Sequence, residues 1–218
     1  MHVNTRPAIL YFGTPVVLIS TRNENGTYNL APVSSVFWLG WRCIIGISSL
    51  SKTTENLLRE KQCVLNLPSE NEVDAVNRLA LTTGTYPVPE TKLRRGYSYE
   101  PLKFETAGLT EKASTLVNAP SVSECPVHLE ASLVTAQDIA RDEPLQKGRI
   151  LTIELKILRV SVEESLLMEG EPDRIDPNRW KPLIMNFQQF YGLSNSLAPS
   201  VLARVPEYLY RSADMEKS

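Results

Sequence analysis

The segment Ser48-Ser49-Leu50-Ser51-Lys52-Thr53-Thr54-Glu55-Asn56 holds the densest group of side chains able to bind an anion. An apolar run of strand length, Trp41-Arg42-Cys43-Ile44-Ile45-Gly46-Ile47-Ser48, ends there in hydroxyl residues, and a helix with Lys52 at its start follows. The first turn of a helix leaves backbone N–H groups without acceptors and carries a partial positive charge, which suits an anion. Ser49, Ser51, Thr53 and Thr54 can add hydroxyl donors, and Lys52 adds a compact full charge. A lysine in that turn opposes the helix macrodipole, a placement that makes sense if a phosphate neutralises both. The competing reading is a plain serine-capped helix with a solvated lysine. A second stretch, Asn29-Leu30-Ala31-Pro32-Val33-Ser34-Ser35-Val36-Phe37, suggests a place for a flat ligand. Pro32 removes a ladder donor, so the strand must be bulged or at an edge. Ser34 and Ser35 are small enough to let a planar group approach the backbone, with Phe37 or Trp38 flanking it; an irregular edge strand with surface serines is the alternative.

Other chemistries lack their signatures. There is no GxGxxG after a strand, no GxxxxGK[ST] and no GxSxG, which argues against a Rossmann-held nicotinamide, P-loop phosphoryl transfer and α/β-hydrolase catalysis. Cys43, Cys63 and Cys125 form no CxxC pair, and His2 and His128 are the only histidines, so neither a structural zinc site nor a disulfide scaffold is expected. Each cysteine lies in or at the start of an apolar strand run and reads as a structural thiol. His128 falls on the polar face of an alternating strand and reads as a surface or structural histidine.

The elements that must position these residues are mostly strands. Pro15–Thr21 is apolar and β-branched, and Asn25-Gly26 predicts a tight hairpin turn back into the Asn29 stretch. Cys63–Pro68 and Cys125–Val134 are further strands, and Arg149–Val162 alternates apolar with polar for over a dozen residues. A helix is predicted from Ser51 to Lys61, and another after Ser69-Glu70-Asn71-Glu72, a capping box opening Val73, Val76 and Leu79. Residues 84–105 show neither period and read as an irregular excursion. Many short strands with two or three helices give α+β, mainly β, built around an antiparallel barrel. No internal repeat or composition shift divides residues 1–218, so a single domain is expected.

Composition narrows the partners. With 23 Lys and Arg against 25 Asp and Glu, the formal charge is −2, which argues against a chain-wide nucleic-acid surface. Fifteen prolines and ten glycines indicate defined turns rather than flexible linkers. Apolar stretches break well before 18 residues, so no membrane span is expected. No signal-peptide pattern opens the sequence, and reduced thiols fit a cytoplasmic protein.

Taken in order, Asn29-Leu30-Ala31-Pro32-x-Ser34-Ser35, Ser49-x-Ser51-Lys52-Thr53-Thr54-Glu55-Asn56 and Cys63-Val64-Leu65-Asn66-Leu67-Pro68 resemble the flavin-reductase-like, FMN-binding split-barrel proteins, flavoredoxin-type branch. Pro126–Glu130, Lys181–Ile184 and Phe190–Leu193 extend the resemblance across most of the chain. It implies a six-stranded Greek-key split barrel with a few peripheral helices, forming a homodimer with FMN near the subunit interface. Ser49, Ser51, Lys52 and Thr53 would then carry the ribityl phosphate, joined by Thr54, while Asn56 supports the turn. Asn29, Ala31, Pro32, Val33, Ser34 and Ser35 would run along the isoalloxazine edge, and Tyr191 is a further carry-over. Val33 and Val36-Phe37-Trp38 are bulkier than expected beside the ring. The implied activity passes electrons from NADH or NADPH through FMN to free flavin or another small acceptor, with no obligatory side-chain acid or base. The Tyr86–Tyr99 excursion, with Lys92, Arg94 and Arg95, reads as a lid meeting the nicotinamide cofactor's phosphates, or else as a solvated loop. An FMN-holding electron carrier without a nicotinamide site, and a flavin-free ligand-binding barrel, are the alternatives.

Overall fold

The computed structural model describes residues 1–215. Seven strands, β1 (Val17–Arg22), β2 (Tyr28–Val33), β3 (Val36–Leu39), β4 (Arg42–Ser48), β5 (Gln62–Leu67), β6 (Val127–Asp138) and β7 (Ile150–Val162), form one antiparallel sheet in the order β2-β1-β5-β6-β7-β4-β3. The strands β2 and β3 lie at opposite ends of that order, yet only Ser34 and Ser35 separate them. A two-residue link spans roughly 10 Å at most, so the sheet must curl until its edges meet. The Gly46 N–H donates to the Ser35 carbonyl at 2.8 Å, which carries the β3–β4 ladder one residue into that link. Six strands were expected and seven are found, because the Asn29–Phe37 run breaks at these serines instead of continuing as one strand.

Alternate residues point into the curl: Val17 and Ile19 of β1, Cys43 and Ile45 of β4, Cys63 and Leu65 of β5, and Ile153 and Leu155 of β7 are fully buried together. The other face of β1 is also covered. Val16 and Leu18 pack with Val76 and Leu79 of helix α2 (Val73–Leu79), which explains an unbroken apolar run where a solvated strand would alternate. The capping box at Ser69 is present, but it opens a 3-10 turn, Glu70–Glu72, that runs on into α2.

Helix α1 (Lys52–Glu60) starts at its expected cap, with Ser51 Oγ accepting the Thr54 N–H at 3.0 Å. Its Leu57 is fully buried in the barrel core. The β1–β2 connection is a five-residue loop, 23–27, not the two-residue turn expected. Only Gly26 takes a positive φ (+86°), and the Asn25 side chain accepts from both the N–H and the hydroxyl of Thr27, replacing the second left-handed residue that a type I′ turn needs.

Residues 84–105 are partly regular, correcting the expectation of an unstructured excursion. They contain α3 (Glu90–Leu93) and the start of α4 (Lys103–Ala107), and Ser98–Tyr99 pairs in parallel with Thr82–Thr83. Phe104 and Ala107 of α4 are buried in the same cluster as α2. His128 is buried rather than at the surface. The chain 111–122 covers this end of β6, so His128 Nε2 hydrogen-bonds the Val122 carbonyl at 2.7 Å, and the Glu130 carboxylate accepts the N–H groups of Thr115, Leu116 and Val117. Near the C-terminus, Asp214 accepts a two-point bond from Arg42 of β4, at 2.8 and 3.0 Å. No helix among the described residues is long and apolar enough to cross a membrane.

Candidate ligand site at the mouth of helix α1

The hydroxyl cluster before α1 is largely spent on holding itself in place. Ser49 Oγ donates to the Gly148 carbonyl at 2.6 Å, tying this turn to the β6–β7 connection. Thr54 Oγ1 donates to the Ser48 carbonyl at 2.8 Å and lies 2.8 Å from Ser51 Oγ. The donors left facing the helix mouth are the first-turn N–H groups of Lys52 and Thr53, which have no intrahelical acceptor, the Thr53 hydroxyl and the Lys52 ammonium. That ammonium is paired with Glu55 at 2.6 Å, one turn along. Asn56 is fully buried, donating to Thr21 Oγ1 and Asn23 Oδ1 at 3.0 and 2.8 Å, so it fastens α1 to β1 and to the 23–27 loop.

Asn29, at the start of β2, joins the two stretches singled out in the sequence. Its Nδ2 donates to Thr53 Oγ1 at 3.1 Å, leaving the threonine proton free to be given elsewhere. Its Oδ1 is buried with no hydrogen-bond partner among the described residues. Such an orphan costs about 1–3 kcal/mol and marks a place where an incoming donor would be welcome. Gly84 closes over the same spot: a Cβ there would lie 2.7 Å from Asn29 Oδ1 and 3.1 Å from Lys52 Cγ. Asn29, Lys52 and Gly84 form the inner end of an open cleft of about 400 Å³, walled by Tyr86, Tyr99, Glu100 and Pro101 on one side and by Asn23–Asn25 and Thr27 on the other.

From Asn29 the strand β2 runs about 13 Å to Val33, with no strand on its outer edge. Ala31, Pro32 and Val33 line that edge, and Pro32 contributes only a carbonyl there, as its position in an edge strand requires. Ser34 and Ser35 follow at the seam; Ser35 Oγ lies 3.2 Å from the Tyr11 hydroxyl. Val33 packs on the barrel core, as does Trp38, while Phe37 is half-exposed. Tyr191 stands apart, on a three-stranded sheet formed by Phe12–Pro15, Ile184–Asn186 and Gln189–Tyr191.

The basic residues of the 84–105 lobe point to different partners. Lys92 Nζ donates to Thr83 Oγ1 at 2.8 Å, Arg94 pairs with Glu90, and Arg95 is exposed. Sequence reasoning missed Gly84, Glu100 and the buried Lys103. Burial pushes the Lys103 ammonium down to about 8, with Lys92 nearby acting in the same direction. The thiols stay out of the chemistry: burial pushes Cys43 up to about 12 and raises Cys63 and Cys125 as well.

Comparison with known proteins identifies the family and the fold. The sequence model of the flavin reductase like domain matches residues 9–194. YdfE of Bacillus subtilis (strain 168) is 34% identical over 192 residues, 88% of this chain and 89% of that protein. Among solved structures, the flavoredoxin of Desulfovibrio vulgaris (Miyazaki F) superposes with a TM-score of 0.73 at 20% identity, covering 93% of this chain and 99% of that one. The 2-nitrobenzoate 2-nitroreductase NbaA of Pseudomonas fluorescens gives 0.68 at 17% identity, covering 88% and 87%.

Proposed function

The chain belongs to the flavin reductase-like family and is a flavin-related oxidoreductase, and from that premise we propose that it passes electrons from NADH or NADPH through bound FMN to free flavin or another small acceptor. The observation that carries this reading is the buried Asn29 amide, bonded to Thr53 on one side and left with an unpartnered Oδ1 on the other. It fuses a phosphate-type donor group at the mouth of α1 to the free edge of β2, and the two together suit an anionic tail and a flat ring. Lys52 and Thr53 would hold the phosphate, with Ser49, Ser51, Thr54 and Asn56 keeping the turn in shape. The edge from Ala31 to Ser35 would lie along the isoalloxazine.

When bound, FMN supplies the redox chemistry. The protein's own residues bind, orient and neutralise charge. No nearby side chain need act as an acid or base: the thiols are buried, and burial holds the His128 imidazole below its ordinary value while its Nε2 is bonded to Val122. We further infer a homodimer. The T-shaped pair Phe12–Phe187 is solvent-facing, and Phe37 and Leu39 are exposed on the edge strand β3, an apolar surface of the kind dimerisation covers. A monomeric mass by light scattering with FMN bound would reject it.

The deciding experiment is an anaerobic absorption spectrum of the FMN-saturated protein before and after each nicotinamide. Bleaching within seconds by NADH or NADPH is the expected result. A yellow protein that only dithionite bleaches would make it an electron carrier, and a chain that ignores FMN would overturn the flavin reading.

A further inference from the structure

The outer half of the cleft is built differently from its inner end. Tyr86 and Tyr99 stand 5.1 Å apart with their rings tilted by 57°, and both reach solvent, Tyr86 being 78% exposed and Tyr99 44%. Solvated aromatic faces beside a cleft of about 400 Å³ are platforms for a flat heterocycle. Across from them, Asn25 has its Oδ1 committed to Thr27, which leaves its Nδ2 as a donor for ring nitrogens. Glu100 accepts the Leu102 N–H on Oε1 at 2.7 Å, which fixes the carboxylate beside Tyr99 and leaves Oε2 to accept from a hydroxyl. Glu24 faces the same space from the opposite wall. Lys52 is the one cation among the lining residues, and it sits at the inner end, already paired with Glu55.

We propose that this outer half is a subsite for the adenosine moiety of a dinucleotide whose ribose carries no 2′-phosphate. The inference rests on the flavin reading of the inner end. The tyrosines stack the base, and the carboxylates accept from the vicinal diol of the ribose. Among the described residues that line the cleft, a 2′-phosphate would meet two carboxylates and no arginine, the reverse of a site built for it. The adenosine could arrive as the outer half of FAD or as the outer half of NADH, which present the same chemistry.

The test uses FMN-saturated protein titrated calorimetrically with adenosine and, separately, with 2′-AMP, which differ only in the phosphate in question. Adenosine should bind at least tenfold more tightly than 2′-AMP. Tyr99→Ala should weaken adenosine at least tenfold with FMN affinity unchanged, and Glu100→Gln should narrow the gap between the two probes. The source then follows from two further arms. FAD binding more tightly than FMN in the wild type but not in Tyr99→Ala assigns the site to the flavin dinucleotide. A loss confined to the KM for NADH in Tyr99→Ala assigns it to the nicotinamide substrate. No adenosine binding to a protein that holds FMN normally overturns the subsite and leaves the flavin reading standing. Equal binding of adenosine and 2′-AMP overturns the proposed discrimination. Failure to bind FMN at all removes the flavin reading, and the subsite with it.

Discussion

Lys52→Ala isolates the charge at the mouth of α1. The ammonium is the only full positive charge among the described residues that line the cleft, and a charge-assisted hydrogen bond to an anion is worth roughly 1.5–3 kcal/mol. FMN should therefore bind about tenfold to a hundredfold more weakly. The lysine's present partner, Glu55 at 2.6 Å, is half-exposed, and such pairs contribute about 0–1 kcal/mol, so the fold should lose little. The same geometry yields a variant of opposite sign. Glu55→Gln removes the carboxylate that competes with the phosphate for Lys52, and FMN should tighten by about twofold to fivefold. Riboflavin, which has no phosphate, should bind equally well to the wild type and both variants. Flavin fluorescence titrations at one fixed ionic strength read all of these constants. Parallel losses for FMN and riboflavin in Lys52→Ala would indicate general damage. No loss for either would place the anion elsewhere and refute the reasoning.

Gly84→Ala drives a methyl to 2.7 Å from Asn29 Oδ1; overpacking of about 1–3 kcal/mol should lower the melting temperature by about 2–10 °C and weaken FMN, and an unchanged melting curve would show that the loop yields freely. Lys103 is held near pH 8 in the fold against 10.5 when unfolded. The unfolded chain therefore binds more protons between those values, and stability should rise with pH from about 8 to 10.5. Lys103→Met should remove that part of the slope in urea titrations and stabilise the protein at pH 7; identical slopes would contradict the burial argument. A thiol reagent at pH 8 should modify fewer than one of the three buried cysteines in the native protein and all three after unfolding, and Cys→Ala at any one should leave NAD(P)H oxidation intact.

Strand β7 was legible because each of its faces meets one environment for most of its length, so period two survives in the sequence. Ser51 and Ser69 were legible because caps are local chemistry. His128 was legible only in part, since the structural role holds and the surface one does not: alternation reveals two faces of β6 but not what lies on the outer one, and the chain 111–122 that buries it is held by Glu130. The 84–105 lobe hid its order because its pairing partner, Thr82–Thr83, lies outside it and its helices are single turns. Within the candidate site, hydroxyl type and spacing marked the turn before α1, yet they could not show which protons were already spent on Ser48 and Gly148. The orphaned Asn29 Oδ1 and the space kept by Gly84 depend on contacts between three separate segments, which no local pattern encodes.

The strand order also fixes a sequence of events during synthesis. Asn29, Lys52, Thr53 and Gly84 all leave the ribosome before Val127, where the central hairpin of the sheet begins. Strands β1, β2 and β5 can already pair as a three-stranded unit, with α1 laid against it. The candidate site is thus assembled from neighbours, while β5, with its buried Cys63, Val64 and Leu65, waits with one bare edge until β6 arrives. At roughly 5–20 residues per second the wait lasts seconds, long enough for an apolar edge to find the wrong strand.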